Sequence, residues 1–318
     1  MPKLGSNFVN PKVLKSLGNC KIYSVNDFLQ AHFEKLETSL NAEEVIEATH
    51  KLVSNYSAQP KEGYILYQYL LRKTNIIETY VKGLDELLNG GLLTGTILEI
   101  CGMSGSGKTQ ICLTITLNIV LEMKSNVTYI DTKRDLCSSR FLQILHTRTY
   151  KEEPDTVLER INVILVDDVY KLITMLQSIK NGLQNNVKLG KLIIIDSLAV
   201  LFFPFIGLPT CQGLSLLNHV ASLLKMIAVE QHVAIVLTNL GSKFEDNVDI
   251  LRFEEKQKVT DFDIRPALGK YWLHVPNTRL IINRINTARS ERVLIVKKSD
   301  YIKIGNMCTV EILNSGVR

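Results

Sequence analysis

The stretch "EICGMSGSGKTQICLTI" (residues 99–115) decides how the rest of this sequence is interpreted. Residues 102–109 match the pattern Gly-x4-Gly-Lys-Thr, with an apolar strand before them and a helix after them. The glycines let successive backbone N–H groups turn inward, and the N-terminus of the following helix adds the positive end of its dipole. The pattern therefore predicts a phosphate-binding loop at a nucleotide site.

The spacing of this pattern gives individual residues their roles. Lys108 supplies a point charge to the β and γ oxygens of a nucleoside triphosphate, and Thr109 supplies a hydroxyl to Mg²⁺. Asp196 ends the apolar strand "LIIID", where its carboxylate can hold the water shell of that Mg²⁺. Asp131 also ends a strand and is the alternative metal carboxylate. We expect ATP and Mg²⁺ as cofactors, with the cradle formed by Gly102, Gly105, Ser106, Gly107, Lys108, Thr109 and Gln110.

Around the loop, apolar strands alternate with helical patterns. The predicted strands are "GTILEIC", "NVTYID", "INVILV", "KLIIIDS" and "VAIVLTN". Continuous apolar strands separated by helices are typical of a parallel sheet covered on both faces, so we predict an α/β fold. "TRLIINRI" and "ERVLIVKKS" are expected as an added hairpin at the far edge of the sheet.

The sequence before this pattern has a different character. Residues 1–57 carry short helical patterns and predict a small N-terminal helical module. Residues 58–75 form a linker with a possible subunit-docking segment, the aromatic stretch "YILYQYLLRK" (64–73). Residues 76–318 form the predicted ATP-binding core.

Composition excludes several classes of protein. No apolar run reaches the ~18 residues of a membrane span, and the first residues carry no apolar leader. The cytosol or the nucleus is therefore expected. The six cysteines show no C-x-x-C pair, which argues against a zinc site. Residues 279–318 hold eight basic and three acidic residues. This excess of basic residues equals the net charge of the whole chain, +5. Such a region suits a polyanion-binding surface or, equally, a solvated face.

The stretch "VKGLDELLNGGLLTGTILEICGMSGSGKTQICL" (81–113) resembles the RecA-like strand-exchange recombinases of eukaryotes and archaea. The likeness continues through "VTYIDT", "KLIIIDSLAVLF", "VAIVLTN" and "RPALGKYWLHVPNTRL" and covers residues 76–300. The last of these is most similar to the D-type paralogue of the eukaryotic recombinase. The resemblance implies a RecA-like P-loop ATPase core and a nuclear role in homologous recombination DNA repair. It also implies partners: other recombinase paralogues in a heteromeric complex, and single-stranded or branched DNA.

The same resemblance assigns further residues and exposes two departures. It implies that Arg140 lies against the adenine. The family's catalytic glutamate is replaced by Lys133, and its γ-phosphate sensor glutamine is replaced by Leu240. A protonated ammonium cannot act as a general base, and leucine cannot hydrogen-bond a phosphate. Asp135 is a possible substitute for the general base, but its position in the sequence does not match that of the family's glutamate. We therefore expect ATP binding, with hydrolysis weak or dependent on a partner.

The loops that face DNA in the family offer few cations here. Residues 201–213 contain no Lys or Arg, and residues 241–266 contain five basic against seven acidic residues. Phosphate contacts supply most non-specific DNA affinity, so flexible surface loops are an equally good interpretation. If DNA is bound, its contacts are expected at Arg284, Arg289, Arg292, Lys297 and Lys298, or at the N-terminal lysines.

Three functions are therefore compared. The favoured one is an ATP-binding assembly subunit, with Tyr64 and Tyr67 where the family's linker aromatic docks onto a neighbouring subunit. Packing of these tyrosines on their own domain is the alternative. The second function is a DNA-stimulated strand-exchange ATPase forming its own filament. The third, a small-molecule phosphotransferase, is disfavoured by the "GLDELLNGGL" approach (83–92) to the phosphate loop.

Overall fold

The structure is a computed structural model of the whole chain. It describes residues 11–31, 41–57, 60–148, 152–182, 189–205, 211–243, 264–284 and 290–318. The chain divides into two compact units, one ending at Tyr69 and the other beginning at Leu70.

Over its described residues, the first unit contains the helices α1 (Pro11–Asn19), α2 (Val25–Gln30) and α3 (Ala42–Tyr56). The start of α2 is stabilised by a capping box, in which the Asp27 N–H donates to Ser24 Oγ at 3.1 Å. The apolar faces of these helices enclose a small core. Its buried members are Leu17, Ile22, Val25, Phe28, Val45, Ala48 and Leu52.

Helix α4 (Gly63–Lys73) contains the boundary between the two units and lies in the range expected to be a linker. Its large apolar and aromatic side chains are exposed on every side of the helix. They are Tyr64, Ile65, Leu66, Tyr67, Tyr69, Leu70 and Leu71. Exposing this many large apolar groups on one helix is costly in water.

The second unit is built around a ten-stranded sheet. Its strands are β3 (Ile97–Gly102), β4 (Val127–Asp131), β5 (Ile161–Leu165), β6 (Leu192–Asp196), β7 (Ala234–Lys243), β8 (Ile264–Pro266), β9 (Thr278–Asn283), β10 (Glu291–Ser299), β11 (Met307–Leu313) and β12 (Gly316–Val317). Their order is β12-β11-β10-β9-β3-β7-β6-β4-β5, and β8 pairs with β7. The six strands from β9 to β5 are parallel to their neighbours in this order. Two short strands, β1 (Ile76–Ile77) and β2 (Leu92–Leu93), form a separate pair.

Helices cover both faces of this sheet. They are α5 (Lys82–Leu87), α6 (Lys108–Glu122), α7 (Ser138–Thr147), α8 (Pro154–Leu158), α9 (Val169–Lys180), a 3-10 helix (Leu198–Phe205), α10 (Gln212–Gln231) and α11 (Gly269–Trp272). Alternate residues of one strand reach opposite cores: Ile194 packs with α6 and α7, and Ile193 with α9 and α10. This arrangement confirms the predicted class, a mainly parallel sheet with helices on both faces, preceded by a helical region.

The C-terminal strands differ from the expectation of a simple edge hairpin. β9 and β10 are antiparallel neighbours, but β9 also pairs in parallel with β3 and is buried along its whole length. The edge is extended by β11 and β12, which the sequence analysis did not predict. Because an apolar strand fits beside any buried neighbour, its composition does not reveal its place in the sheet. Over the described ranges, none of the helices is long and apolar enough to cross a bilayer.

Candidate nucleotide-binding site

The phosphate loop runs from the end of β3 at Gly102 to the start of α6 at Lys108. Gly105 and Gly107 have positive φ angles of 72° and 106°, which residues with a side chain rarely adopt. A Cβ atom at Gly107 would also lie 2.4 Å from Ile312 Cδ1. The φ angle therefore favours glycine at position 107, and an added Cβ would also require the Ile312 side chain to move.

Lys108 lies inside this loop. Its Nζ donates to the carbonyl oxygens of Gly102 and Met103, at 2.8 Å each, and the side chain is buried. Burial, helped by the nearby charge of Lys133, lowers the pKa of Lys108 to about 8. Phosphate oxygens are stronger acceptors than these carbonyls, so an anionic ligand in the loop would stabilise the charged ammonium.

Asp196, at the end of β6, is the centre of a buried hydroxyl cluster. Its Oδ2 accepts from Thr109 Oγ1 at 2.6 Å and from Tyr129 OH at 3.1 Å, and its Oδ1 accepts from Thr238 Oγ1 at 2.5 Å. Burial and the Asp196 charge raise the pKa of Tyr129 well above its usual value. The Thr109 hydroxyl and the Asp196 carboxylate are the oxygen donors that Mg²⁺ prefers, so this pair fits the metal that the family resemblance implies.

Asp131, the alternative metal carboxylate, is occupied by the backbone. Its Oδ1 accepts from the N–H groups of Lys133 and Arg134 at 3.0 and 2.9 Å, and its Oδ2 accepts from Leu136 N at 3.0 Å. These bonds hold the loop that follows β4. Asp196 is therefore the better placed of the two carboxylates for a metal.

Lys133 is aimed at this same cluster. Its Nζ lies 3.8 Å from Asp196 Oδ1, and 24% of its side chain is exposed. Asp135, the substitute base, is exposed two residues further along the loop. Leu240 is half-buried in β7, and its carbonyl oxygen accepts from Ala267 N at 2.8 Å. The position at which the resemblance places a general base thus carries a cation, and the position at which it places a γ-phosphate sensor carries an apolar side chain.

Arg140, expected beside the adenine, lies at the outer end of the phosphate loop. Its Nε donates to Gln110 Oε1 at 2.9 Å, and its Nη2 and Nη1 donate to the carbonyl oxygens of Leu313 and Asn314 at 2.7 and 3.1 Å. The guanidinium therefore joins the first turn of α6 to the turn between β11 and β12.

The five cations expected to contact DNA have different surroundings. Arg292 is 7% exposed, and its Nε donates to the Ser106 carbonyl oxygen at 2.9 Å. This hydrogen bond supports the phosphate loop. Because Arg292 is buried and used in this way, contact with DNA is not favoured for it. Lys298 Nζ donates to the carbonyl oxygens of His274 and Pro276. Three cations remain: Arg284 is exposed, Lys297 is half-buried, and Arg289 lies outside the described residues.

A buried polar network beside the site was not predicted. Glu99 is fully buried in β3, where its Oε2 accepts from Arg279 Nε in β9. Its Oε1 accepts from Asn239 Nδ2 at 2.6 Å and from Trp272 Nε1 at 2.8 Å. The signal in the sequence was a lone acid in "ILEIC" and a lone base in "TRLIIN". Recognising the pair required knowing that β3 and β9 are neighbours, in a register that sets Glu99 beside Arg279.

Comparisons with known proteins give one consistent result. The sequence profile of the Rad51 family matches residues 72–318. "DNA repair protein RAD51 homolog 4" of Mus musculus is 33% identical over 310 residues, which cover 92% of this chain and 90% of that protein. The Bos taurus protein of the same name is 31% identical over 315 residues, with 96% and 91% covered. "DNA repair protein RAD51 homolog 2" of Mus musculus is 26% identical over 317 residues, with 91% and 90% covered.

Proposed function

This chain belongs to the Rad51 family, and from that premise we propose that it is an ATP-binding recombinase paralogue of the D-type. It acts as an assembly or mediator subunit in homologous recombination, repairing damaged DNA in the nucleus. Its place is a heteromeric complex with other recombinase paralogues on single-stranded or branched DNA. The similar proteins named above are described as DNA repair proteins, which supports the repair role.

ATP binding rests on the geometry of the phosphate loop. The backbone from Gly102 to Thr109 would hold the phosphates, and Lys108, which now donates to two carbonyl oxygens, would donate to phosphate oxygens. Thr109 and Asp196 would hold Mg²⁺, which would neutralise phosphate charge. Arg140, which contacts Gln110, would border the base.

One observation favours an ATP-binding assembly subunit over a DNA-stimulated ATPase. Lys133 occupies the general-base position and points its ammonium at Asp196, 3.8 Å away. A protonated amine cannot take a proton from water, and the Leu240 side chain cannot sense the γ-phosphate. Hydrolysis by this chain alone is therefore weak, or depends on a residue supplied by a partner.

Two exposed apolar surfaces support membership of a complex. We propose a division into an N-terminal helical module (1–57), a docking linker (58–75) and an ATP-binding core (76–318). The linker contains α4, whose tyrosines at 64 and 67 are 67% and 57% exposed. At one end of the sheet order, β5 exposes Val163 and Leu165, and a strand in this position suits strand addition.

DNA contact is proposed at the basic C-terminal region. Arg284 is its exposed described member, and Lys297 and Arg289 are the other candidates. Each phosphate contact adds to the salt dependence of binding, so replacing a true contact lowers the salt slope by about one.

Single-turnover ATP hydrolysis tests the proposal, measured beside nucleotide binding with and without single-stranded DNA. We expect the isolated chain to bind ATP and to cleave it slowly under both conditions. Lys133→Glu, which restores the carboxylate, raises turnover if this residue is the main defect. An unchanged rate points instead to Leu240 or to a partner's residue. Vigorous DNA-stimulated turnover by the unaltered chain would favour the alternative, a strand-exchange ATPase that forms its own filament.

A further inference from the structure

Hydrogen bonds to neighbouring residues hold the backbone that carries Lys133. Thr132 Oγ1 donates to the Ser197 carbonyl oxygen and accepts from Ser197 N, at 2.8 Å each, and Thr132 N donates to the Asp196 carbonyl oxygen at 3.0 Å. On the other side, Asp131 Oδ1 accepts from the N–H groups of Lys133 and Arg134. The backbone that carries Lys133 is therefore joined to the end of β6, where Asp196 stands.

The ammonium occupies a partly enclosed position. The Lys133 side chain is 24% exposed and the Asp196 side chain 5% exposed, with 3.8 Å between Nζ and Oδ1. Exposed ion pairs contribute little to stability, because water screens them and long side chains lose freedom. A pair held between two strand ends, beside three donating hydroxyls, meets less screening and has a preset geometry.

The site thus contains two fixed cations close to one acid. Asp196 accepts from Thr109, the residue after Lys108, at 2.6 Å, and Lys133 Nζ lies 3.8 Å from the same carboxylate, so all three charges stand beside the phosphate loop. A glutamate at position 133 would make the site two charges more negative. In phosphate loops of that composition, the metal is needed to offset repulsion between the carboxylates and the nucleotide.

We propose that Lys133 is a built-in cation that neutralises nucleotide phosphate charge beside Asp196, so that ATP binding depends little on Mg²⁺. Thr109 and Asp196 still accept the metal, but the charge that it adds has already been supplied in part by the protein. The inference rests on the proposed function, because it requires that ATP binds at this loop.

The test is the affinity for a fluorescent ATP analogue, measured in Mg²⁺ and in excess EDTA. For the unaltered chain, we expect the two dissociation constants to differ by less than about threefold. The neutral variant Lys133→Met is expected to lose affinity about tenfold or more in EDTA, the effect of one charged contact, and to lose less in Mg²⁺, where the metal supplies charge. Lys133→Arg keeps the charge and therefore the small difference. Lys82→Met is the matched control, because its side chain is 90% exposed and remote from the loop in sequence.

Two results would overturn the inference. One is a loss of about tenfold or more when Mg²⁺ is removed from the unaltered chain. The other is an unchanged ratio of the two constants in Lys133→Met, which would make the contact with Asp196 a structural ion pair only. If Lys133→Met does not fold, the unaltered chain alone decides. Absence of binding in Mg²⁺ contradicts ATP binding itself, whereas binding in Mg²⁺ that is lost in EDTA contradicts only the role of Lys133.

Discussion

Two aspartates at matching positions of neighbouring strands have opposite surroundings. Asp131 and Asp196 are register partners at the ends of β4 and β6. Asp131 accepts from three backbone N–H groups, which cannot turn away. Asp196 accepts from three hydroxyls, which can rotate toward a new ligand. The donors around a carboxylate, more than its place at a strand end, therefore decide whether it is available to a metal.

The buried ion pair between Glu99 and Arg279 leads to a prediction of stability. Both side chains are at most 6% exposed, so removing one leaves the other charge buried without its partner. Glu99→Ala is expected to lower the free energy of unfolding by about 3–5 kcal/mol, measured by urea denaturation. Glu122→Ala, at the exposed end of α6, is the control and should change it by less than about 0.5 kcal/mol.

The double variant Glu99→Leu/Arg279→Leu separates charge from packing. Replacing both partners of a buried pair by apolar residues removes the uncompensated charge, so it should recover much of the loss. A double variant as unstable as Glu99→Ala would show that the hydrogen bonds to Trp272 and Asn239 carry the stability instead.

At the scale of elements, α4 and β5 both expose large apolar groups. Seven large apolar side chains of α4 are exposed within eleven residues, and β5 forms one end of the sheet order. Both features are costly in water unless another surface covers them. Their hydrophobicity could be read from the sequence, but their exposure required the fold.

Helix α4 therefore gives a prediction of assembly. Tyr64→Gln/Tyr67→Gln removes two exposed rings while keeping good helix formers, so complex recovery from cells with the paralogue partners is expected to fall about tenfold or more. ATP binding by the variant should be unchanged. Tyr23→Gln, which is 63% exposed in the first unit, is the matched control. Full recovery of the complex with the double variant would mean that α4 is not the docking segment.

At the scale of the whole molecule, local sequence patterns predict individual motifs but not which distant residues become neighbours. The phosphate loop and Asp196 were predictable because both follow from local patterns of strand, turn and helix. The basic C-terminal region predicts a DNA contact for Arg292, whereas in the structure its Nε donates to the Ser106 carbonyl oxygen. That contact joins residues 186 positions apart, and local patterns carry no information about such distant neighbours.

Coupling between nucleotide and assembly is the prediction at this scale. Lys108→Ala should weaken ATP binding about tenfold or more and, through it, retention of the paralogue partners in a pull-down. Lys82→Ala should leave both unchanged, since that side chain is 90% exposed. A complex that survives with no nucleotide bound would contradict gating of assembly by ATP.

The support of the phosphate loop by β10 and β11 affects how deletion mapping of this chain should be interpreted. A fragment that stops before Glu291 lacks Arg292, the donor to the Ser106 carbonyl, and Ile312, which packs against Gly107. It also lacks the carbonyl groups that hold Arg140. If such a fragment no longer binds a partner, the missing residues need not be the partner's contact, because the nucleotide cradle has lost the contacts that support it. Point substitutions on exposed side chains avoid this confusion, and C-terminal truncations do not.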